Sequence, residues 1–294
     1  MTRKTAQRRV LLAVAALWPV ALQAQAWLPE QGTFGVSLLY SDIFDTEHYL
    51  PNGDEIDVGH MRSQSLGMIV SYSPSDRVSL SAGLPYVRSE YHGDHPHPTY
   101  VDNGDYHGFF TDLHVEAHYQ LLLDPVAFAP YIALVQPTHN YPSLGHAAPG
   151  RNLQEKWLGF FVGRSLDLWI PRTYVQGRYS FAFVQPVAGI GHDRSNVDLE
   201  VGYFVRPVWS IRALLYWQHT HGGINVPIPQ SNPLYPYHDQ LAADAFLNAG
   251  VGTAFHTRLG VDWFAVFNTS LAGKNGHKLG RGTNLGFAYS FAPH

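Results

Sequence analysis

The sequence predicts an all-β protein, a transmembrane antiparallel β-barrel of about 12 strands, within a range of roughly 10 to 14. Two features predict this fold. Segments of alternating polar and apolar residues fill the chain after residue 26, and the connections between them alternate between short and long. In bacterial outer-membrane barrels the short turns face the periplasm and the longer loops face outward. An even number of strands places both chain ends in the periplasm.

The first 26 residues have the three regions of a secretory signal peptide. MTRKTAQRR carries four basic residues and no acidic one, and VLLAVAALWPVAL is an apolar run of 13 residues. Ala24 and Ala26 are the small residues of a cleavage site, so cleavage is expected after Ala26. The alternative is a membrane anchor, but the run is shorter than the roughly 20 residues of a spanning helix. We predict a signal peptide at 1–26 and a barrel at 27–294.

The composition excludes several classes of protein. Charged residues make up 14% of the chain, which is low beside the roughly 25% of ordinary soluble domains. The formal net charge of −4 argues against nucleic acid as a partner. The absence of cysteine excludes a disulfide scaffold, a thiol nucleophile and thiolate metal sites. No break in composition divides residues 27–294, so we expect one domain.

Twelve candidate strands follow one another with little room for helix between them. Tight joints alternate with longer polar segments, of which the last covers 270–280. The predicted strands are 32–44, 62–73, 76–90, 108–123, 127–139, 152–168, 172–186, 194–206, 208–221, 242–257, 258–269 and 281–291.

Each candidate strand has an apolar row and a more polar row, because successive side chains of a strand point to opposite faces. In FFTDLHVEAHYQLLL the polar row carries four potentially charged groups: Asp112, His114, Glu116 and His118. Trp209 and Trp217 end another apolar row, about 27 Å apart along the strand. That spacing, shortened by strand tilt, approaches the ~25 Å apolar band with aromatic girdles of a membrane barrel. We therefore predict that apolar rows face lipid and polar rows face the lumen.

The final segment, NLGFAYSFAPH, resembles the C-terminal targeting strand of outer-membrane proteins, although three residues follow Phe291. Pro85, Pro137 and Pro186 fall within or at the ends of candidate strands. A closed barrel has no free edge strand that could accept a proline. We therefore expect these three prolines near the extracellular rim, where strands leave the hydrogen-bond ladder.

The segments TDLHVEAHYQL, PYIALVQPTHNYPSLGHAAPG and DLEVGYFVRPVWSIRA are similar to a family of outer-membrane proteins named from the meta pathway of phenol degradation. The similar portion runs through much of the chain after residue 26, roughly from the second to the ninth strand. The resemblance implies a β-barrel and the passage of small organic molecules. It transfers no functional residue, because its motifs are strand and turn patterns.

The inward polar rows are the candidate site of a channel or transporter for small solutes. A barrel of this size is too narrow for an open porin channel but wide enough for a small solute. The alternative is a structural barrel with a plugged lumen, whose charges only pair with one another. We predict no catalytic residue and no cofactor, and we expect outer-membrane lipid and a small-molecule solute as partners in a Gram-negative bacterium. The candidate lumen and constriction residues are Asp112, His114, Glu116, His118, Gln176, Arg178, Asp198, Glu200, Arg212, Asp244 and Asp262.

Histidines raise a metal hypothesis, since His92, His95 and His97 share one loop and His114 and His118 share one strand. Residues two apart on a strand lie about 7 Å apart, too far to share one zinc ion without partners from other strands. Exposed loop histidines are the plain alternative, and the sequence assigns no metal site.

A lipid-modifying hydrolase with a Ser/His/Asn site on the lipid face is the remaining alternative. HDRSN at 192–196 and THGG at 220–223 supply the residue types. No G-x-S-x-G elbow is present, and such a site depends on geometry that a sequence does not show.

Overall fold

The computed structural model describes residues 26–94 and 97–291, and within them the chain forms one antiparallel sheet that closes into a barrel. Twelve strands make up the wall. The predicted signal peptide lies outside the described residues, apart from Ala26. The strands are β1 (Phe34–Tyr49), β2 (Glu55–Ile56), β3 (His60–Ser75), β4 (Val78–His92), β5 (His107–Phe110), β6 (Asp112–Tyr119), β7 (Ala127–Pro137), β8 (Glu155–Ser165), β9 (Thr173–Val184), β10 (His192–Arg206), β11 (Trp209–Gly222), β12 (Ala245–His256), β13 (Val261–Lys274) and β14 (Gly276–Phe291).

The barrel closes between its first and last strands. β1 pairs with β14 over their whole length, from Phe34 opposite Phe291 to Tyr49 opposite Gly276. Two short strands are not counted among the twelve strands of the wall. β2 pairs with the end of β1, and β5 lies in line with β6, where both pair with β4. All twelve predicted strands are therefore present, in chain order around the barrel.

The outer face of the wall is apolar, as the alternation predicts. Leu66 on β3 is 54% exposed, and Trp209 and Trp217 at the two ends of the β11 row are 40% and 38% exposed. The polar residues between them, such as Ser210 and Arg212, are buried on the inner side. Large apolar side chains thus cover the outside, and the side chains that a soluble protein would present to water line the interior.

The apolar band ends early on one side of the barrel, in what we call the polar collar: Asp42, Arg62, Gln64 and Arg88 on the outer face of β1, β3 and β4. Arg62 donates from Nε and Nη2 to Asp42 at 3.0 and 2.6 Å. Arg88 donates from Nε to Gln64 Oε1 at 2.8 Å, and Gln64 donates to Asp42 Oδ2 at 3.1 Å. The collar follows directly after the exposed row that ends at Leu66, towards the long loops.

Two details differ from the prediction. The segment 270–280 is not a loop, because β13 and β14 extend to a one-residue turn at Asn275, whose φ of 54° suits asparagine. Pro85 lies inside β4 and not at the extracellular rim. The strand beside Pro85 is interrupted between β5 and β6, so the missing N–H of the proline falls at a break in the ladder. Pro137 ends β7 and Pro186 follows β9, as expected.

The long loops contain the little helix that the structure has. Tyr100–Asp102 and Tyr235–Tyr237 are 3-10 turns, and α1 (His238–Leu241) is one short helix. Among residues 26–94 and 97–291, no helix combines the length and the apolar character required to cross a bilayer.

Candidate functional site in the lumen

A row of alternating histidines and carboxylates on β6 points into the lumen. Glu116 lies between two histidines: its Oε2 is 3.2 Å from His114 Nε2, and its Oε1 contacts His118 Nε2. The outward neighbours Leu113 and Val115 are exposed. One carboxylate engages both imidazoles, so His114 Nε2 and His118 Nε2 have a partner, whereas His118 Nδ1 is buried without one among the described residues.

Arg178 and Asp198 form the central ion pair of the lumen. They are directly opposite on β9 and β10, and Arg178 Nη2 lies 2.6 Å from Asp198 Oδ2. The guanidinium carbon is 6.0 Å from the ring centroids of both Trp157 and Phe161 on β8. Phe161 in turn stacks on His118 at 4.7 Å, which joins the pair to the β6 row. We call this set the lumen belt: His114, Glu116, His118, Trp157, Phe161, Arg178 and Asp198.

A second polar cluster lies nearer the short turns. Glu200 accepts hydrogen bonds from the Tyr174 hydroxyl at 2.5 Å and from Gln176 Nε2 at 3.1 Å. Arg212 Nη1 is 3.8 Å from Glu200 Oε2. The predicted residues of β9, β10 and β11 thus do meet inside the barrel, but at two levels and not in one ring.

The other predicted residues lie away from the belt. Asp262 pairs with His256 Nδ1 at 2.7 Å at the periplasmic end of β13. Asp244 precedes β12 and binds Arg151 Nη2 at 3.1 Å near the loops. Asp112 accepts the Tyr141 hydroxyl at 2.6 Å. Burial, followed by this carboxylate, raises the pKa of Tyr141, so the hydroxyl remains the donor.

An ion pair that the sequence analysis did not single out lies between the belt and the loops. Arg194 Nη2 on β10 contacts Glu155 Oε1 on β8, and Trp157 donates from Nε1 to Glu155 Oε2 at 2.9 Å. Glu155 and Arg194 are on different, non-adjacent strands, so no local sequence spacing connects them. The alternation of Arg194 with Asp198 and Glu200 along β10 was the available signal.

The segment before β1 enters the barrel at the short-turn end. Gln120 fixes it through both amide atoms: Nε2 donates to the Ala26 carbonyl and Oε1 accepts from the Leu28 N–H, each at 3.0 Å. Ala26 and Trp27 pack on the inner face of β7 and β8, where a Cβ at Gly163 would meet the Trp27 ring at 2.5 Å. Gly163 therefore leaves the room that the indole occupies.

Two residue types of the hydrolase hypothesis meet on the outer wall. Ser195 Oγ is 2.8 Å from His221 Nε2, on the outward rows of β10 and β11. The Tyr179 hydroxyl is 3.3 Å from the same Ser195 oxygen, and Ser195 is 6% exposed. Asp193 lies directly opposite His221 but accepts from the Val184 N–H at 2.8 Å.

The histidines of the loop that raised the metal hypothesis do not form one group. His92 lies beside Glu90 at 3.5 Å, and His95 lies outside the described residues. His97 turns inward to meet other histidines at the extracellular end of the lumen: His48, His146, His238 and His277. None of these four was singled out from the sequence, because they lie far apart in the chain.

Comparison with known proteins shows the fold. No family model matches the chain, and no curated protein matches it. Among solved structures, it is similar to the COG4313 outer membrane channel from Pseudomonas putida F1, with a TM-score of 0.71 and 18% identity over 90% of this chain and 97% of that chain. It is also similar to the translocator domain of the autotransporter NalP from Neisseria meningitidis, with a TM-score of 0.52 and 11% identity over 98% and 95%. The β domain of the Bordetella autotransporter BrkA gives 0.51 and 12% over 89% and 100%.

Proposed function

We propose that this chain is an outer-membrane channel that passes small solutes, including small organic molecules, through a polar lumen. The lumen belt carries the proposal, because it places charged side chains beside aromatic rings on an inner wall whose outer face is apolar. The similarity in fold to a protein described as an outer membrane channel supports it. Transport would be passive diffusion, with the belt selecting solutes by size and charge.

The alternative of a plugged lumen has support too, since the belt charges are paired and the segment at Trp27–Leu28, which directly follows the predicted cleavage site, lies against the inner wall. We propose that this segment narrows the periplasmic opening without closing it. We also propose that residues 1–26 direct the chain into the secretory route, and that the barrel lies in the outer membrane of a Gram-negative bacterium, where lipid contacts its apolar face.

The proposal is tested with purified protein in planar bilayers and in a liposome-swelling panel of small sugars, amino acids and aromatic acids. We expect discrete conductance steps and swelling that falls with solute size. Trp27→Ala is expected to raise the conductance, because it removes the indole from the inner wall. Trp169→Ala is the matched control, since Trp169 is an exposed residue of the turn after β8. No conductance from the folded wild type and from Trp27→Ala would establish a structural barrel.

A second candidate function rests on the contact between Ser195 and His221. Ser195 Oγ would attack the carbonyl carbon of a lipid ester while His221 accepts the hydroxyl proton, and the proton would pass to the departing alcohol. Water would then release the fatty acid from the acyl-serine. Ser195→Ala and His221→Asn should each abolish hydrolysis of a fluorescent phospholipid in micelles, and His139→Asn should not. Equal hydrolysis in all variants, or none in the wild type, eliminates this function.

A further inference from the structure

The extracellular end of the lumen holds five histidines from five separate segments, which we call the mouth cluster: His48 (β1), His97 (the loop before β5), His146 (the loop after β7), His238 (α1) and His277 (β14). Their rings are in contact: the centroids of His48 and His277 are 4.1 Å apart, and those of His97 lie 4.6 Å from His146 and 4.7 Å from His238. Ring contacts among histidines from five separate segments are not required for loops that only cover a barrel, so the mouth cluster is a candidate binding site.

We propose that His48, His146 and His277 bind one divalent transition-metal ion, for which Zn²⁺ is the probe. One ligand atom from each of the three lies within 4.8 Å of the other two. His48 Nε2 and His277 Nδ1 are hydrogen-bonded to each other at 2.8 Å, and a metal ion would replace this bond. A tetrahedral ion with a metal–nitrogen distance of about 2.1 Å requires ligand nitrogens about 3.4 Å apart, which lies between those two values.

The three ligands are held in place by the β1–β14 ladder and by hydrogen bonds to Asp102. His48 and His277 are directly opposite in the β1–β14 ladder, and cross-strand neighbours, unlike residues two apart on one strand, are close enough to share an ion. His146 is held by Asp102, whose carboxylate accepts the backbone N–H groups of His97, His146 and Ala147 at 2.8–3.0 Å. Asp102 is therefore a positioning residue, since both of its oxygens already accept hydrogen bonds.

A second observation points to a ligand. His146 is 8% exposed and His97 is 5% exposed, yet within the described part of the chain neither His146 Nδ1 nor His97 Nε2 has a hydrogen-bond partner. His97 Nε2 lies 3.5 Å from Asp239 Oδ2, which is an electrostatic contact without hydrogen-bond geometry. A metal ion bound by His146 would give this buried imidazole a partner, whereas His97 lies outside the ligand set and keeps its contact with Asp239.

The donor set selects the class of ion. Three imidazoles suit zinc, copper and nickel, whereas Mg²⁺ and Ca²⁺ require oxygen ligands. The nearby Arg151 is paired with Asp244, which reduces its repulsion of a cation. His97, His238 and Asp239 form a neighbouring group with one carboxylate, and we assign them no part in the first coordination sphere.

The test is zinc binding by the folded barrel in detergent, stripped with chelator and dialysed against buffered Zn²⁺. We expect one equivalent per chain in the wild type and at least a tenfold weaker affinity for His146→Asn and for His277→Asn. His139→Asn, on the same loop as His146, and His238→Asn, within the mouth cluster, should bind as the wild type does. Heat-dependent migration on gels confirms that each variant is folded.

Cobalt provides a readout that needs no variant, because Co²⁺ in a tetrahedral nitrogen site absorbs strongly in the visible range. We expect this absorption in the wild type, and we expect one equivalent of Zn²⁺ to remove it. The proposal is overturned if the folded wild type retains no zinc, or if His139→Asn weakens binding as much as His146→Asn. Loss of binding in His238→Asn alone would overturn the ligand set. Solute conductance does not enter the readout, so failure here leaves the channel proposal standing.

Discussion

The lumen belt and the mouth cluster both contain histidines and differ in the groups that these histidines face. In the belt, His114 and His118 share Glu116, one carboxylate oxygen each. In the mouth cluster Asp239 lies 3.5 Å from His97 and 3.3 Å from His238, and Asp102 binds backbone N–H groups. In the belt both histidines face a carboxylate, whereas His48 and His277 in the mouth cluster face each other. From this difference we expect zinc to bind at the mouth cluster and not at the belt.

The largest effect is expected from breaking the belt ion pair. Arg178→Met leaves Asp198 without its guanidinium, and loss of one partner of a buried pair costs about 3–5 kcal/mol of unfolding free energy. The low end applies, because the two side chains are 21% and 14% exposed. Urea unfolding in lipid vesicles measures the loss. Adding Asp198→Asn to Arg178→Met should recover part of the lost unfolding free energy. If Arg178→Met loses no unfolding free energy, the Arg178–Asp198 pair does not stabilise the barrel.

The next effect separates the two faces of β6. Val115 points outward between the belt residues His114 and Glu116, so Val115→Lys places a charge in hydrocarbon and should cost about 2–4 kcal/mol near the bilayer midplane. The yield of folded barrel and its unfolding free energy are the measurements. Val115→Ala is the matched control, with a small effect. Tolerance of lysine at 115 would contradict the assignment of the faces.

Zinc should stabilise the folded barrel by binding at the mouth cluster, and changes in the lumen belt should not alter this stabilisation. With free Zn²⁺ at a hundred times the dissociation constant, a site formed only in the folded state stabilises it by about 2.7 kcal/mol. Wild type and Arg178→Met should both gain this amount, and His146→Asn should gain almost none. Chelator reverses the gain in a thermal or urea unfolding assay. A gain that persists in His146→Asn would place the ion elsewhere.

The smallest effect is expected from His114→Asn. His114 is about one-third exposed and has a 3.2 Å contact with Glu116, so we expect a loss of about 1 kcal/mol or less. Zinc affinity should be unchanged. This variant tests whether the lumen belt and the mouth cluster are independent, because it removes a belt histidine and leaves Glu116 in place. A loss of zinc binding on this substitution would mean that belt and mouth belong to one metal site.

Sequence alternation predicted the wall well, because every strand alternates between lipid and lumen and the pattern repeats along the whole chain. The rows ending at Trp209 and Trp217, and those of Leu113 and Val115, are confirmed on the outer face. The break beside Pro85 was not predicted, because it depends on where the neighbouring strand divides between β5 and β6.

The side-chain clusters were harder to predict than the wall. The lumen residues were identified by face, but their pairing depends on the register between strands, as for Arg178 and Asp198. The mouth cluster depends on barrel closure and on three loops that fold inward, which carry His97, His146 and His238. One signal was present: the register that sets Phe34 opposite Phe291 also sets His48 opposite His277. The sequence alone does not bring His146 to that pair.

The polar collar has a consequence for how deeply the barrel sits in its bilayer. Arg62 and Arg88 cannot leave the headgroup layer without losing solvation, so the hydrocarbon boundary on that side must lie below them, near Leu66. On the other strands the apolar band of the outer face can extend further towards the long loops. A membrane of uniform thickness would meet this uneven boundary by thinning beside β3 or by letting the barrel lean. Lipid order next to that flank should therefore differ from lipid order around the rest of the circumference.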